Sequence, residues 1–287
     1  MHSMRNPGIA AVVAAATLLT ACTAVEEGEG NAQPGLLATT GVWADVAAAV
    51  TGTDVDAIIT GADVDPHHFE PTAQDLAKVK AADTLVANGG GYDHSLYSVA
   101  EQDKVVFAIP PAEDVAEHDH DHNTEDLDSI EHIWFNPGKV KEVAREVAQR
   151  AGGSAADVEA RMGAVEAKLA EIGSVRLAAT EPIAAGLIYG TELHDVTPDG
   201  YLRAALNESE PSAQDIAAFL ETIEAGELDL LVYNPQSTTG AADRIVDAAK
   251  EHGVDVVEIS EIPPAGTNFL DYMDSVVDQI AQAAAHH

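Results

Sequence analysis

Short apolar segments of strand length alternate with helical segments along most of the chain, and this alternation limits the possible fold more than any other feature. The predicted strands cover residues 36–40, 55–60, 84–87, 104–109, 175–180, 228–233 and 254–259. The predicted helices that accompany them cover residues 42–50, 73–82, 212–225, 239–252 and 268–285. A β-α-β order favours parallel sheets with helices on both faces. The sequence therefore predicts an α/β protein with mostly parallel sheets.

A helical segment at 138–173 separates the two series of strands. It runs from Pro137 to about Gln149, pauses at two glycines and restarts at Ser154, where Asp157 suggests a capping box. Apolar residues then recur every three or four positions along one face of a helix of about 18 residues. We predict two α/β lobes, 36–137 and 174–287, joined by this long, rigid linking helix.

The first 35 residues have the layout of an exported lipoprotein. Arg5 precedes an apolar stretch at 9–19 that is too short for an ordinary membrane span, and small residues lead to Cys22. A small residue before the cysteine is what a bacterial lipoprotein signal requires. We predict a signal peptide at 1–21, a lipid on Cys22 that anchors the protein to the bacterial cell membrane, and a flexible tether at 22–35. A plain secreted protein with a chance cysteine is the alternative.

The composition excludes several classes of function. The chain has 14 basic and 49 acidic residues, a net charge of −35, which argues against nucleic-acid binding. Cys22 is the single cysteine. Once it carries a lipid, none remains for a disulfide, a thiolate metal site or a nucleophilic thiol.

Four candidate metal ligands stand out by their positions: three follow predicted strands and one precedes a predicted helix. The three are His67, Glu181 and Glu261, and the fourth is His132. In open α/β sheets, ligands bind in the crevice beyond the carboxyl ends of the strands. Two lobes that face each other would bring the four side chains into one cleft. Two neutral imidazoles and two carboxylates carry a charge of about −2, which balances a divalent cation.

Several residues compete for these positions. His68 adjoins His67, but neighbouring residues of an extended loop point in opposite directions, so only one is expected in the site. Glu258 is the alternative to Glu261, and His194 is the alternative to Glu181. Asn234 is not predicted as a ligand.

An acidic segment that contains His118, His120 and His122 interrupts the alternating pattern. This His-rich loop, residues 117–123, is predicted to collect metal weakly without belonging to the principal site.

Two motifs carry a resemblance to a known family. Asp-Pro-His-x-x-Glu-Pro-Thr surrounds His67, and His-x-Trp-x-x-Pro begins at His132. In that order they resemble the zinc/manganese family of solute-binding proteins of ABC importers, and the lipoprotein signal and the His-rich loop are similar to that family too. The resemblance implies one metal ion between two lobes, delivered to a membrane permease that a cytoplasmic ATPase drives. It further implies a non-enzymatic protein, which we expect to be a monomer.

The third predicted ligand, Glu181, is compatible with both Zn²⁺ and Mn²⁺ as the bound metal. Many relatives carry histidine where this chain has Glu181, and a carboxylate oxygen suits Mn²⁺ better than nitrogen does. However, Zn²⁺ also binds carboxylate and imidazole, and its intrinsic affinity exceeds that of Mn²⁺.

Two other functions compete with metal delivery. A secreted zinc-dependent hydrolase would use similar ligands, but it needs an open metal position and a general base. The sequence has no His-Glu-x-x-His helix and no Gly-x-Ser-x-Gly turn. A metal-binding surface adhesin on the same fold would share the site and need no permease.

Overall fold

The structure is a computed structural model that describes residues 32–61, 69–112, 127–237 and 239–286. Over these ranges it contains two four-stranded sheets whose paired strands are all parallel. The predicted α/β class, with two lobes and a linking helix, is confirmed. The predicted signal peptide at 1–21 and Cys22 lie outside the described residues.

The N-terminal lobe contains the sheet β2-β1-β3-β4. Its strands are β1 (Ala32–Thr40), β2 (Asp54–Ile59), β3 (Thr84–Ala87) and β4 (Val105–Phe107). Its helices are α1 (Gly41–Thr51), α2 (Ala73–Ala81) and the single turn α3 (His94–Tyr97). Helix α2 begins at a capping box between Thr72 and Asp75.

Two antiparallel helices follow the N-terminal lobe, and the second is the linking helix. They are α4 (Pro137–Ala151) and α5 (Ala156–Glu171). The predicted apolar face of α5 is buried through Val158, Met162, Val165 and Leu169. Pro137 occupies the first turn of α4, where its missing N–H costs no hydrogen bond.

The C-terminal lobe repeats the arrangement with the sheet β6-β5-β7-β8. Its strands are β5 (Val175–Ala179), β6 (Leu193–Asp195), β7 (Leu230–Tyr233) and β8 (Asp255–Glu258). Its helices are α6 (Ala185–Ile188), α7 (Asp199–Leu206), α8 (Ala213–Glu224), α9 (Gly240–Glu251) and α10 (Phe269–Ala284). One apolar cluster includes residues of both sheets and of α1, α4, α5 and α10, so the two lobes share part of their core, and each lobe has a further cluster of its own.

Ion pairs on the surface flank the buried face of the linking helix. Arg161 contacts Asp271 and Asp274 of α10, while Lys141 of α4 contacts Glu166. Exposed pairs of this kind contribute at most about 1 kcal/mol each, so apolar burial holds α5 in place.

The structure differs from the sequence prediction at three places. Strand β1 begins at Ala32, so residues 32–35 of the predicted tether belong to the sheet. The capping box at Ser154 does not form, because the N-cap of α5 is Ala155. The hydroxyl of Ser154 instead accepts a hydrogen bond from the N–H of Ala156, and its own N–H donates to the carbonyl of Val50. The short elements α3, α6, β6 and α7 were not predicted, since three to eight residues give little periodic signal.

Within the described ranges, no helix combines the length and the apolar character that crossing a membrane requires.

Candidate metal centre

Each sheet has a point at which the strand order reverses, and the candidate site lies near both. In the N-terminal sheet, β1 and β3 are the central neighbours, and β2 and β4 lie on opposite outer sides of them. In the C-terminal sheet, β5 and β7 are the central neighbours, with β6 and β8 on the outer sides. The carboxyl ends of strands at such points form the usual ligand crevice of α/β proteins. Glu181 follows β5 and Asn234 follows β7, so both stand at the reversal point of the C-terminal sheet.

His132 and Glu261 bring the two lobes together at the candidate site. His132 precedes a 3₁₀ turn, Ile133–Phe135, and Glu261 lies three residues beyond β8. Nε2 of His132 is 3.8 Å from Oε1 of Glu261, and their side chains are only 8% and 13% exposed. Zinc bonds to nitrogen and oxygen are about 2.0–2.2 Å long, so one ion can reach two donors up to about 4.2 Å apart. The separation of this pair fits a shared cation.

A buried tyrosine contacts the same carboxylate. The phenol of Tyr92, in the loop after β3, donates a hydrogen bond to Oε1 of Glu261 at 2.6 Å. Burial, followed by the charge of Glu261, raises the pKa of Tyr92 well above its usual value. The phenol therefore stays protonated and acts as a donor.

Trp134 packs against Tyr92 and His132, the two residues around Glu261 that come from the N-terminal lobe. Its ring lies 5.0 Å from that of Tyr92 and 5.3 Å from that of His132, edge-on to the imidazole. Trp134 is 1% exposed. A rigid, buried aromatic ring leaves the imidazole few alternative rotamers.

The buried carboxylate of Asp93 links the ends of β1 and β3 behind the site. Asp93 accepts hydrogen bonds from the hydroxyl of Thr39 at 2.6 Å and from the N–H groups of Asn88 and Gly89 at 2.7 and 3.0 Å. Burial raises the pKa of Asp93 to about 6, although these hydrogen bonds act in the opposite direction. The side chain of Asn88 also donates to the carbonyl of Glu131 at 2.9 Å, next to His132.

Glu181 is held within the C-terminal lobe. Its Oε2 accepts a hydrogen bond of 2.7 Å from the side-chain amide of Asn234. This hydrogen bond links the residues that follow β5 and β7, the two strands at the reversal point. Burial, and then the charge of Glu181, raise the pKa of Tyr201 to about 12. Asn234, which the sequence did not predict as a ligand, is thus a hydrogen-bond partner of a candidate ligand.

The described residues contain part of the predicted ligand set. No three His, Cys, Asp or Glu side chains of the described ranges converge at a distance that would hold a metal ion. His67 and His68 lie in 62–68, and His118, His120 and His122 lie in 113–126, both outside the described residues. The structure therefore brings His132 and Glu261 together and places Glu181 beside Asn234.

The register of the sheets separates the competing residues from this group. His194 lies on the edge strand β6, is exposed, and pairs with Arg176, five residues before Glu181. Arg176 lies three residues, about 10 Å of strand, before the carboxyl end of β5, so His194 is set back from the edge of the sheet that Glu181 follows. Glu258 pairs with Tyr233 at the end of β8 and is exposed, whereas Glu261 is partly buried.

A cleft of about 200 Å³ adjoins the His132–Glu261 pair. Thr40, Asp45 and Thr60 line it from the N-terminal lobe together with Tyr92, and residues 261–267 line it from the C-terminal lobe. Two of its lining side chains are carboxylates, Asp45 and Glu261, a composition that favours a cation over an anion.

Sequence reasoning did not identify Tyr92, Asn88 or Asp93 as part of the site. All three belong to the segment Asn88-Gly89-Gly90-Gly91-Tyr92-Asp93, directly after β3. The signal that could have identified them is their position, because the end of β3 shares its edge of the sheet with the predicted ligands.

The sequence and the fold of the chain are similar to those of known proteins. A family model described as the periplasmic component A of zinc-uptake complexes matches residues 36–283. The periplasmic zinc-binding protein TroA of Treponema pallidum is 20% identical, with a TM-score of 0.60, and the match covers 87% of this chain and 98% of TroA. The laminin-binding protein of Streptococcus agalactiae, described as an adhesin with metal-transporting activity, is 16% identical, with a TM-score of 0.63 and coverage of 89% and 100%.

A third similar structure contains a bound metal. FpvC of Pseudomonas aeruginosa, a solute-binding protein in complex with Mn²⁺, is 16% identical, with a TM-score of 0.61 and coverage of 88% and 98%. At these identities the solved structures show the fold alone. No curated protein sequence matches the chain.

Proposed function

The chain belongs to the family of periplasmic component A proteins of zinc-uptake complexes, and from this we propose that it carries a divalent transition metal ion to an ABC importer. The observation that carries the proposal is the contact between His132 and Glu261, whose donor atoms lie 3.8 Å apart across the two lobes. A nitrogen and an oxygen donor, both nearly buried, form the start of a metal shell. A buried carboxylate is costly unless it is paired with a cation, and a metal ion bound by both donors would supply that positive charge.

The proposed ligands of the metal are His67, His132, Glu181 and Glu261. His132 lies on the N-terminal lobe, His67 follows β2 in the sequence, and the two glutamates come from the C-terminal lobe. An ion bound by all four would be held by both lobes. Separation of the lobes would then remove two of the four donors, which offers a route to release at the permease.

The cargo is Zn²⁺ or Mn²⁺. The imidazole–carboxylate set supports both ions, because carboxylates suit Mn²⁺ and imidazoles suit Zn²⁺. Solved structures of the same fold include a zinc-binding protein and one in complex with Mn²⁺. The ion is transported and is not a resident cofactor, which agrees with a family of transport components.

Location and partners complete the proposal. A lipid on Cys22 would anchor the protein outside the cytoplasm, at the membrane that contains the permease, and a cytoplasmic ATPase would drive import. The protein would act as a monomer. The motif Leu19-Thr20-Ala21-Cys22 supports the anchor.

The proposal is tested by metal uptake in the native host. Deletion of the gene should reduce uptake of radioactive Zn²⁺ or Mn²⁺ at limiting metal, and the wild-type gene should restore it. The variant His132→Ala should fail to restore uptake, whereas His194→Ala, an exposed histidine on β6, should succeed. Unchanged uptake after deletion would contradict delivery and would favour an adhesin on the same fold.

Anchoring is tested separately with Cys22→Ala. Wild-type protein should incorporate a radioactive fatty acid and sediment with membranes, and the variant should do neither. A variant that still incorporates the fatty acid would show that Cys22 does not carry the lipid.

A further inference from the structure

Asn136 connects the two lobes directly behind His132. Its side-chain N–H₂ donates a hydrogen bond of 2.9 Å to the carbonyl of Gly186, fifty residues away on α6. Its side-chain carbonyl accepts a hydrogen bond of 3.0 Å from the N–H of Lys139 and so caps α4. Asn136 is 7% exposed, so neither bond competes freely with water.

Gly186 fits closely against the same turn. A Cβ atom at this position would lie 3.2 Å from the backbone nitrogen of Asn136 and 3.3 Å from the carbonyl oxygen of His132. These distances are tighter than ordinary carbon contacts, so a side chain would push the His132 turn away from α6. Glycine therefore permits the backbone of α6 to approach the residue that bears the imidazole.

The two partners of this contact belong to segments that carry different candidate ligands. Asn136 ends the turn that begins at His132, and α6 follows Glu181 after a 3₁₀ turn at Pro182–Ala184. The bridge is thus four residues from His132 on one side and five from Glu181 on the other. Over such short, ordered distances, backbone position is transmitted almost directly to the side chains.

Capping alone does not account for asparagine at position 136. Serine, threonine and aspartate cap helices about as well, but their side chains have no N–H₂ group to donate to Gly186. The side-chain carbonyl oxygen of Asn136 caps α4, and its N–H₂ group forms the hydrogen bond between the lobes.

We propose that the Asn136–Gly186 hydrogen bond positions the His132 turn against the Glu181 segment and so sets the metal preference of the site. This inference rests on the proposed function. Asn136 is a positioning residue, since it acts through the separation of the two ligands. Loss of partners that orient metal ligands typically costs 10–100-fold in affinity.

The test compares variants that separate capping from bridging. Asn136→Ser keeps a capping oxygen and loses the donor to Gly186. Thr239→Ala removes the capping hydrogen bond to Ala242 at the start of α9 and leaves the bridge intact. Each protein is titrated with Zn²⁺ and Mn²⁺, and the visible absorption spectrum of its Co²⁺ complex is recorded as a measure of coordination geometry.

We expect Asn136→Ser to bind metal about tenfold more weakly, with a changed zinc-to-manganese affinity ratio and a changed Co²⁺ spectrum. Thr239→Ala should lose stability and keep the wild-type ratio and spectrum. Gly186→Ala, which strains the same contact from the other side, should shift both readouts even if Asn136→Ser fails to fold.

Two results would overturn this inference and leave the proposed function intact. One is a wild-type zinc-to-manganese affinity ratio and Co²⁺ spectrum in both Asn136→Ser and Gly186→Ala. The other is a change in Thr239→Ala as large as that in Asn136→Ser. Failure of the wild-type protein to bind one ion per chain would instead overturn the proposed function.

Discussion

Tyr92 and Glu261 meet across the two lobes, with the phenol oxygen 2.6 Å from Oε1 of the carboxylate. The same Oε1 lies 3.8 Å from Nε2 of His132. One carboxylate oxygen is thus shared between a hydrogen-bond donor and a candidate metal ligand. The tyrosine holds Glu261 toward the N-terminal lobe and limits the rotamers that this carboxylate can adopt.

Tyr92→Phe should lower the free energy of unfolding of the metal-free protein, but the variant should still fold. A hydrogen bond to a charged acceptor contributes about 1.5–3 kcal/mol, so we expect the free energy of unfolding to fall by about that amount. Urea denaturation measures this difference. The control is Tyr189→Phe, since Tyr189 is 43% exposed and should lose little. Equal losses in the two variants would show that the contact with Glu261 does not stabilise the fold.

Asp93 should give the stability of the protein a measurable pH dependence. Burial raises its pKa from the ordinary 3.8 to about 6, so between those values the folded state holds a proton that the unfolded state has released. The contribution of this group to the free energy of unfolding is therefore fully present below pH 4 and lost as the pH rises through 6. The maximum loss is about 3 kcal/mol, at roughly 1.4 kcal/mol for each pKa unit.

Asp93→Asn removes this titration. The difference in free energy of unfolding, wild type minus variant, should fall between pH 4 and pH 7 in urea denaturation experiments. Asp103→Asn, an exposed acid, controls for the change in net charge. A difference that stays constant or rises with pH would contradict the raised pKa of Asp93.

Position in the sheet explains which parts of the site the sequence could predict. His132 and Glu261 were predicted to meet because two lobes that face each other share one crevice beyond the carboxyl ends of their strands, and the structure places the two side chains 3.8 Å apart. Tyr92 was missed because a single aromatic residue after three glycines has no periodic pattern, and its partner is 169 residues away. The assignments of all four residues, His67, His132, Glu181 and Glu261, to the metal remain predictions.

The linking helix shows the same division between local and long-range information. Its apolar stripe predicted the buried face correctly, because periodicity is a local property. Its N-cap was predicted one residue too early, and the hydrogen bond from the N–H of Ser154 to the carbonyl of Val50 was not foreseen, because no local pattern reveals that partner. Similarly, the bridge from Asn136 to Gly186 depends on a contact between lobes.

Glu181→His should move the preference of the site toward zinc. Nitrogen replaces a hard oxygen donor, so binding of Mn²⁺ should weaken by about tenfold or more relative to Zn²⁺. The hydrogen bond from Asn234 would also change, and folding should be little affected. A competition titration with both ions measures the affinity ratio.

Glu192→His, at an exposed position before β6, is the matched control for this exchange and should leave the ratio unchanged. If Glu181→His also leaves the ratio unchanged, then Glu181 is not a metal ligand.

Calorimetric titration of metal into the lipid-free protein tests the central claim most directly. The wild-type chain should bind one Zn²⁺ ion tightly, and so should His194→Ala. The double variant His67→Ala/His132→Ala should keep the thermal stability of the metal-free protein to within a few degrees and lose tight binding. Stoichiometric, tight binding retained by the folded double variant would contradict the metal site between the lobes.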